Sequence, residues 1–126
     1  MQQCRLTCLL CMLVGARRWP LANSFAVGAN RLAECLTLRH GSPGATRPAD
    51  GAFLDEVTAL GLDLGTAAEL ARESGRRWEA IADQAAAWAS EGGASDPAAA
   101  ITQLTPLVAE VHDLEVRLAA ALAEPR

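Results

Sequence analysis

The chain has 126 residues, 51% hydrophobic and 21% charged, a balance that belongs to a folded domain and not to a disordered chain. Its 11 basic and 15 acidic residues give a formal charge of -4, which argues against a general nucleic-acid binder. A barrel or doubly wound enzyme, which needs roughly 200 residues or more, is excluded by length.

Charge divides the chain in two. Residues 1–47 carry six arginines against one acid, Glu34; residues 48–126 carry five arginines against fourteen acids. The division is therefore into a basic, Cys-containing segment (1–47) and an acidic helical domain (48–126). Between them His40 to Gly51, HGSPGATRPADG, reads as a linker on its Gly, Pro, Ser and Thr content. Lysine and tyrosine are absent and alanine is abundant, which reads as the coding bias of a GC-rich genome. Arginine in place of lysine matters only where a planar fork is needed, and nothing in the sequence marks such a site.

At the N-terminus Cys4, Cys8 and Cys11 have the C-x3-C-x2-C spacing with which radical S-adenosylmethionine enzymes hold a [4Fe-4S] cluster. No barrel strand precedes the motif, so the thiols read as small hydrophobes within an apolar run. A zinc site adding Cys35 or His40 lacks the turn residues of a zinc knuckle. No cofactor or metal is expected, and Cys4, Cys8 and Cys11 are the only candidate ligands. Leu6 to Ala16 is apolar and ends in Val14-Gly15-Ala16, a small-residue cleavage pattern, but Arg17-Arg18 follow where positive charge is disfavoured. The run is shorter than the roughly 20 residues of a bilayer span. The expectation is a cytoplasmic protein with no transmembrane span; the alternative is secretion after signal cleavage. Leu21, Phe25, Gly28, Leu32, Cys35 and Leu36 then recur at helical spacing from about Ser24 to Arg39, with Gly41 as stop, and predict an amphipathic helix docking on the helices of the second segment. His40 at its end reads as a C-terminal cap.

In the second segment Asp50 predicts the start of a short helix through Phe53, Val57 and Leu60, stopped at Gly61. Thr66 and Glu69 have the spacing of a capping box. From there Ala67, Leu70, Ala71, Ser74, Trp78, Ile81, Ala82, Ala85, Trp88 and Ala89 predict one helical face, with Arg72, Glu73, Arg76, Glu79 and Asp83 opposite it. Gly75 weakens this helix or admits a close neighbour. After the break at Glu91-Gly92-Gly93, Asp96-Pro97 predicts a new N-terminus. Ile101, Leu104, Val108, Val111, Leu114, Leu118 and Leu122 predict its stripe, with a kink at Pro106 or a break capped by Thr105. The fold class is all-α: an antiparallel helical hairpin with one or two additional short helices, a small helical bundle.

Three features identify a resemblance: Phe53-Leu54 opening the segment, Ala67, Leu70 and Ser74 followed by Trp78 and Ile81-Ala82, and the Asp96-Pro97 restart leading to His112-Asp113-Leu114-Glu115. Residues from about 52 to 124 resemble the C-terminal helical domain of bacterial proteins similar to butirosin biosynthesis protein H. In that family a thiol nucleophile on an N-terminal domain performs the acyl transfer, and the helical domain is the non-catalytic part. The family's His-Cys motif has no counterpart here. The resemblance therefore implies a helical domain detached from its enzyme, and no catalytic residue carries over.

The residues themselves agree that no enzyme is marked. His112 and Asp113 are adjacent on a helix and point about 100° apart. Arg76 and Arg77 beside Glu73 and Glu79 read as surface ion pairs worth at most about 1 kcal/mol. No nucleophile, base and oxyanion donor converge. The functional expectation is a packing or oligomerisation module in which Trp78, Ile81, Trp88, Leu104, Val111 and Leu118 form an apolar seam for a second copy or a partner protein domain. A small exported helical protein, and an Fe-S or zinc protein using the N-terminal cysteines, are the alternatives.

Overall fold

The computed structural model describes residues 22–37, 42–92 and 96–124. Four helices and no strand occupy them: α1 (Ala22–Thr37), α2 (Pro43–Ala59), α3 (Gly65–Ser90) and α4 (Pro97–Ala123). The all-α expectation of a small helical bundle holds. Cys4, Cys8, Cys11, the Leu6–Ala16 run and His40 lie outside the described residues. No described helix is long and apolar enough to cross a membrane.

α3 is the central element, and each of the other helices packs on it. Ala67, Leu70, Ala71, Ser74, Trp78, Ile81, Ala82, Ala85 and Trp88 are buried, as their three- and four-residue spacing requires; Ala68 and Gly75 widen the buried face. α4 runs antiparallel to α3, because Ser74 meets Glu115 whereas the later Arg77 meets the earlier Glu110. Asp96 caps α4 by accepting from the Ala98 and Ala99 amides, both at 3.1 Å, and Pro97 follows in the first turn. Pro106 does not divide this helix. It lies exposed, as does Thr102, whose carbonyl it leaves without an amide donor and which water can solvate. The Thr105 hydroxyl caps no second piece and donates to the Ile101 carbonyl at 3.1 Å.

α1 and α2 share the length of α3 between them, both antiparallel to it. Phe25 at the start of α1 meets Trp88 near the end of α3, with ring centroids 5.7 Å apart and planes at 59°. Arg47 and Pro48 of α2 lie against Gly75 in the middle of α3, and Gly51 lies over Ala68 and Arg72. Two apolar clusters result. One joins Phe25, Leu32 and Leu36 to Trp78, Ile81, Ala85 and Trp88 and to Leu104 and Val111. The other joins Leu54 and Leu64 to Ala67, Leu70 and Ala71 and to Leu114 and Leu118.

Two local expectations are corrected. α2 begins at Pro43 and not at Asp50, so the stretch read as a linker is helical from Pro43 onward. Pro43 stands in the first turn, where the missing N–H has no intrahelical partner in any case. Pro48 forfeits a ladder bond inside the helix, but its ring packs on Gly75. The Thr66–Glu69 capping box does not form, because α3 starts at Gly65 with Leu64 at its N-cap position. Leu64 is buried and its amide donates to the Thr58 hydroxyl oxygen at 3.2 Å, which sets the entry of the chain before Thr66 is reached. The expected stop is present: α2 ends at Ala59, and Gly61 has a φ of +106°.

The close approach of α2 to α3 has a measurable consequence. A Cβ at Gly51 would lie 2.8 Å from Arg72 Cγ and 3.1 Å from the Ala68 carbonyl oxygen; one at Gly75 would lie 3.0 Å from Pro48 Cδ. Overpacking costs about 1–3 kcal/mol, more than the roughly 1 kcal/mol of helix propensity that alanine adds. Gly51→Ala and Gly75→Ala are therefore expected to lower stability by about 1–2 kcal/mol in denaturant titrations. Gly65→Ala, whose nearest contact is Asp63 Oδ1 at 3.8 Å, is expected to be neutral or stabilising.

Candidate functional site

Between the two apolar clusters, at the middle of α3, polar side chains from three helices meet. Arg47 of α2 grips the Glu115 carboxylate of α4 at two points, Nε to Oε1 at 2.8 Å and Nη2 to Oε2 at 2.6 Å. Its remaining nitrogen, Nη1, donates to Asp50 Oδ2 at 2.8 Å. Ser74 of α3, fully buried, donates its hydroxyl to Glu115 Oε1 at 2.5 Å. The buried Trp78 indole N–H faces the same carboxylate without completing a hydrogen bond to it.

The Arg47 and Glu115 side chains are 20% and 16% exposed, so their pairing is screened far less than a surface ion pair. Burial pushes the Glu115 carboxyl up. The hydrogen bonds from Arg47 and Ser74, with the Arg47 charge, outweigh it and hold the carboxyl below its ordinary value of 4.5. The Arg47 guanidinium is correspondingly raised, chiefly by its hydrogen bond to Glu115. A lysine has neither the fork nor the reach for three such bonds. Coding bias thus does not account for arginine at this position, which corrects the expectation that no fork site exists.

A serine hydroxyl on a carboxylate is the arrangement from which nucleophile–base pairs are built. This one does not act so. Ser74 has no exposed surface, so no substrate atom can approach Oγ. A carboxylate held ionised by a guanidinium is also a poor proton acceptor. The cluster is a lock between helices.

The remaining expected site residues are dispersed. His112 and Asp113 are both exposed. Cys35 is a half-buried free thiol. Among the described residues no group of three His, Cys, Asp or Glu side chains is placed to hold a metal ion. Arg76 and Arg77 both pair with Glu73 at the surface, and Arg77 also reaches Glu110 on α4 at 3.6 Å. The Arg76 hydrogen bond is the main reason that the Glu73 carboxyl is lowered. An open depression over Leu70 and Leu114 is bordered by Arg72, Arg76 and Arg117, the first two tied to Asp55 and Glu73.

The six residues expected at a docking seam are interior. Trp78, Ile81, Trp88, Leu104 and Val111 belong to the first cluster and Leu118 to the second, none more than 7% exposed. The chain's own helices cover them, so a partner of the folded chain must meet other residues. Large apolar side chains that are exposed include Phe53 (62%) on α2 and Leu60 (86%) at its C-cap, with Leu62 just beyond, Val27 on α1, and Val116 and Leu122 on α4. Of the sequence stripe Phe53, Val57 and Leu60, Val57 packs partly buried on the second cluster while Phe53 and Leu60 face outward, and the buried residues of this side of α2 are Gly51 and Leu54. No family model matches the chain, and no curated protein or solved structure matches it.

Removing one half of the lock strands the other half. Glu115→Ala is expected to cost about 2–3 kcal/mol, and the double variant Arg47→Met with Glu115→Leu is expected to recover most of it. Because the folded carboxyl titrates below 4.5, its contribution is fully present above that value and is lost as pH falls through the lowered one. Denaturant midpoints of the native chain and of Glu115→Gln are therefore expected to converge on acidification. Trp88→Glu, which would place a carboxylate in the first cluster, reports on folding and not on assembly.

Proposed function

We propose that the chain is a non-catalytic helical packing module, whose task is to present the outer face of α2 to another helical surface on a second copy or a partner domain. One observation carries this reading: that face is almost without charge. Ala45, Ala49, Ala52, Phe53, Ala59 and Leu60 are all exposed. Of the four charged residues of α2, Arg47 and Asp50 belong to the lock, and Asp55 pairs with Arg72 of α3. Glu56 alone among them has no ionic partner within the described residues. A helix face that stays in water carries charged and polar side chains, whereas a contiguous apolar face is one that becomes covered.

The resemblance of residues 52–124 to the helical domain of butirosin biosynthesis protein H-like proteins agrees with this reading, since that domain is their non-catalytic part. On that resemblance the partner is sought among enzymes of natural-product biosynthesis.

A photoreactive phenylalanine analogue in place of Phe53, introduced in the native host, tests the reading directly. Illumination is expected to give a discrete adduct heavier than the chain, and the analogue in place of Glu79, on the exposed side of α3, to give none. Absence of an adduct from position 53 overturns the module reading.

A further inference from the structure

We propose that α2, with the turn that follows it, is a strap over a core made by α1, α3 and α4, which opens as a unit while that core stays folded and which the Arg47–Glu115 contact holds shut. The inference goes beyond the packing-module reading and does not depend on it.

The core does not need α2. The first apolar cluster, which holds Phe25, Trp78 and Trp88, joins α1, α3 and α4 and takes no residue from α2. To the second cluster α2 gives Leu54, with Val57 partly buried at its edge. Beneath the rest of its length lie Ala68, Ala71 and Gly75, whose small side chains bury little apolar area. α2 is also a poor helix by itself, with Pro48 and Gly51 inside it and Gly44 in its first turn. A segment of this composition does not stay helical in water without packing, so α2 lifted from α3 unwinds and its amides lose their hydrogen bonds.

What ties the strap down is largely polar. Arg47 grips Glu115, Asp55 pairs with Arg72, and Arg72 Nη2 donates to the Gly51 carbonyl at 3.3 Å. α1, by contrast, has no hydrogen bond or ion pair to another helix among the described residues and is held by apolar burial. Two polar atoms beside the strap reduce what opening costs. Ser42 Oγ at its N-cap position, and Trp78 Nε1 facing the Glu115 carboxylate, are buried without a hydrogen-bond partner. Each carries a desolvation penalty that water relieves when the helix lifts. At the far end Gly61 has a φ of +106°, and a Cβ there would meet nothing within 4 Å, so the turn is free of packing until Leu64.

Native-state hydrogen exchange of the full chain in low denaturant is the test. Amides of residues 54–58 in α2 are expected to be less protected than those of residues 32–36 in α1 and 78–82 in α3. Their denaturant slope is expected to be shallower but not zero, because the opening exposes part of the surface that global unfolding exposes. Ile81→Val weakens the first cluster, which is intact whether the strap is open or shut. It is expected to lower protection in α1 and α3 about three- to tenfold and to leave that of α2 unchanged. Glu115→Gln removes a contact that the opening breaks, and is expected to lower α2 protection by about tenfold or more. An α2 slope equal to that of α3, or a slope of zero, overturns the inference in the unmutated chain, even where a variant fails to fold. So does an α2 that loses as much protection as α3 in Ile81→Val, or none in Glu115→Gln.

Discussion

The two-point contact between Arg47 and Glu115 is the bond on which the arrangement of the helices depends. α2 and α4 both pack on α3, but their backbones scarcely approach each other. The guanidinium reaches across and holds α2 to α4, with the Ser74 hydroxyl of α3 closing the remaining side. Apolar packing is non-directional and tolerates a helix sliding by a fraction of a turn. A fork on a carboxylate tolerates very little, because both hydrogen bonds must be satisfied together. Apolar clusters on both sides limit water at the bond, which strengthens it and makes an unpaired partner there expensive. What the pair contributes is therefore register more than net stability.

The small residues of α3 make that register accessible. Ala68, Ala71 and Gly75 form the strip on which α2 lies, close enough that Pro48 touches the Gly75 backbone where a side chain would otherwise stand. Arg47 is the neighbour of Pro48, so the depth at which the ring seats also sets how far the guanidinium reaches. Two features that weaken helices in isolation, a glycine inside α3 and a proline inside α2, become the two halves of one contact.

The same contact separates the parts of the fold that are legible in the sequence from those that are not. The buried face of α3, the Asp96-Pro97 start of α4 and the stop at Gly61 follow from local rules, periodicity, capping and a left-handed glycine, and the structure obeys them. Gly75 is legible as a place of close approach for the same reason. The start of α2 is not, because Gly and Pro between Gly41 and Gly51 are turn signals by themselves, and only packing on α3 makes a helix there stable. Arg47 is hidden with it: inside an apparent linker it has no face, and its partner Glu115 is 68 residues away. The Thr66–Glu69 pair shows the converse failure, a correct local pattern set aside by the burial of Leu64.

The burial of Trp78 and Trp88 also changes where function is sought. Two amphipathic helices in antiparallel array leave an apolar seam open on one side, and from the sequence that seam is the natural docking surface. In the structure α1 fills its upper half, with Phe25 on Trp88, and α2 fills the lower, with Leu54 among Leu114 and Leu118. Closing the seam takes those residues out of a partner's reach, so the packing module proposed above would meet one through α2 instead. α2 uses its charged residues inward, Arg47 and Asp50 in the lock and Asp55 on Arg72. The arrangement that fixes α2 in place is thus also what leaves its outer face short of charge.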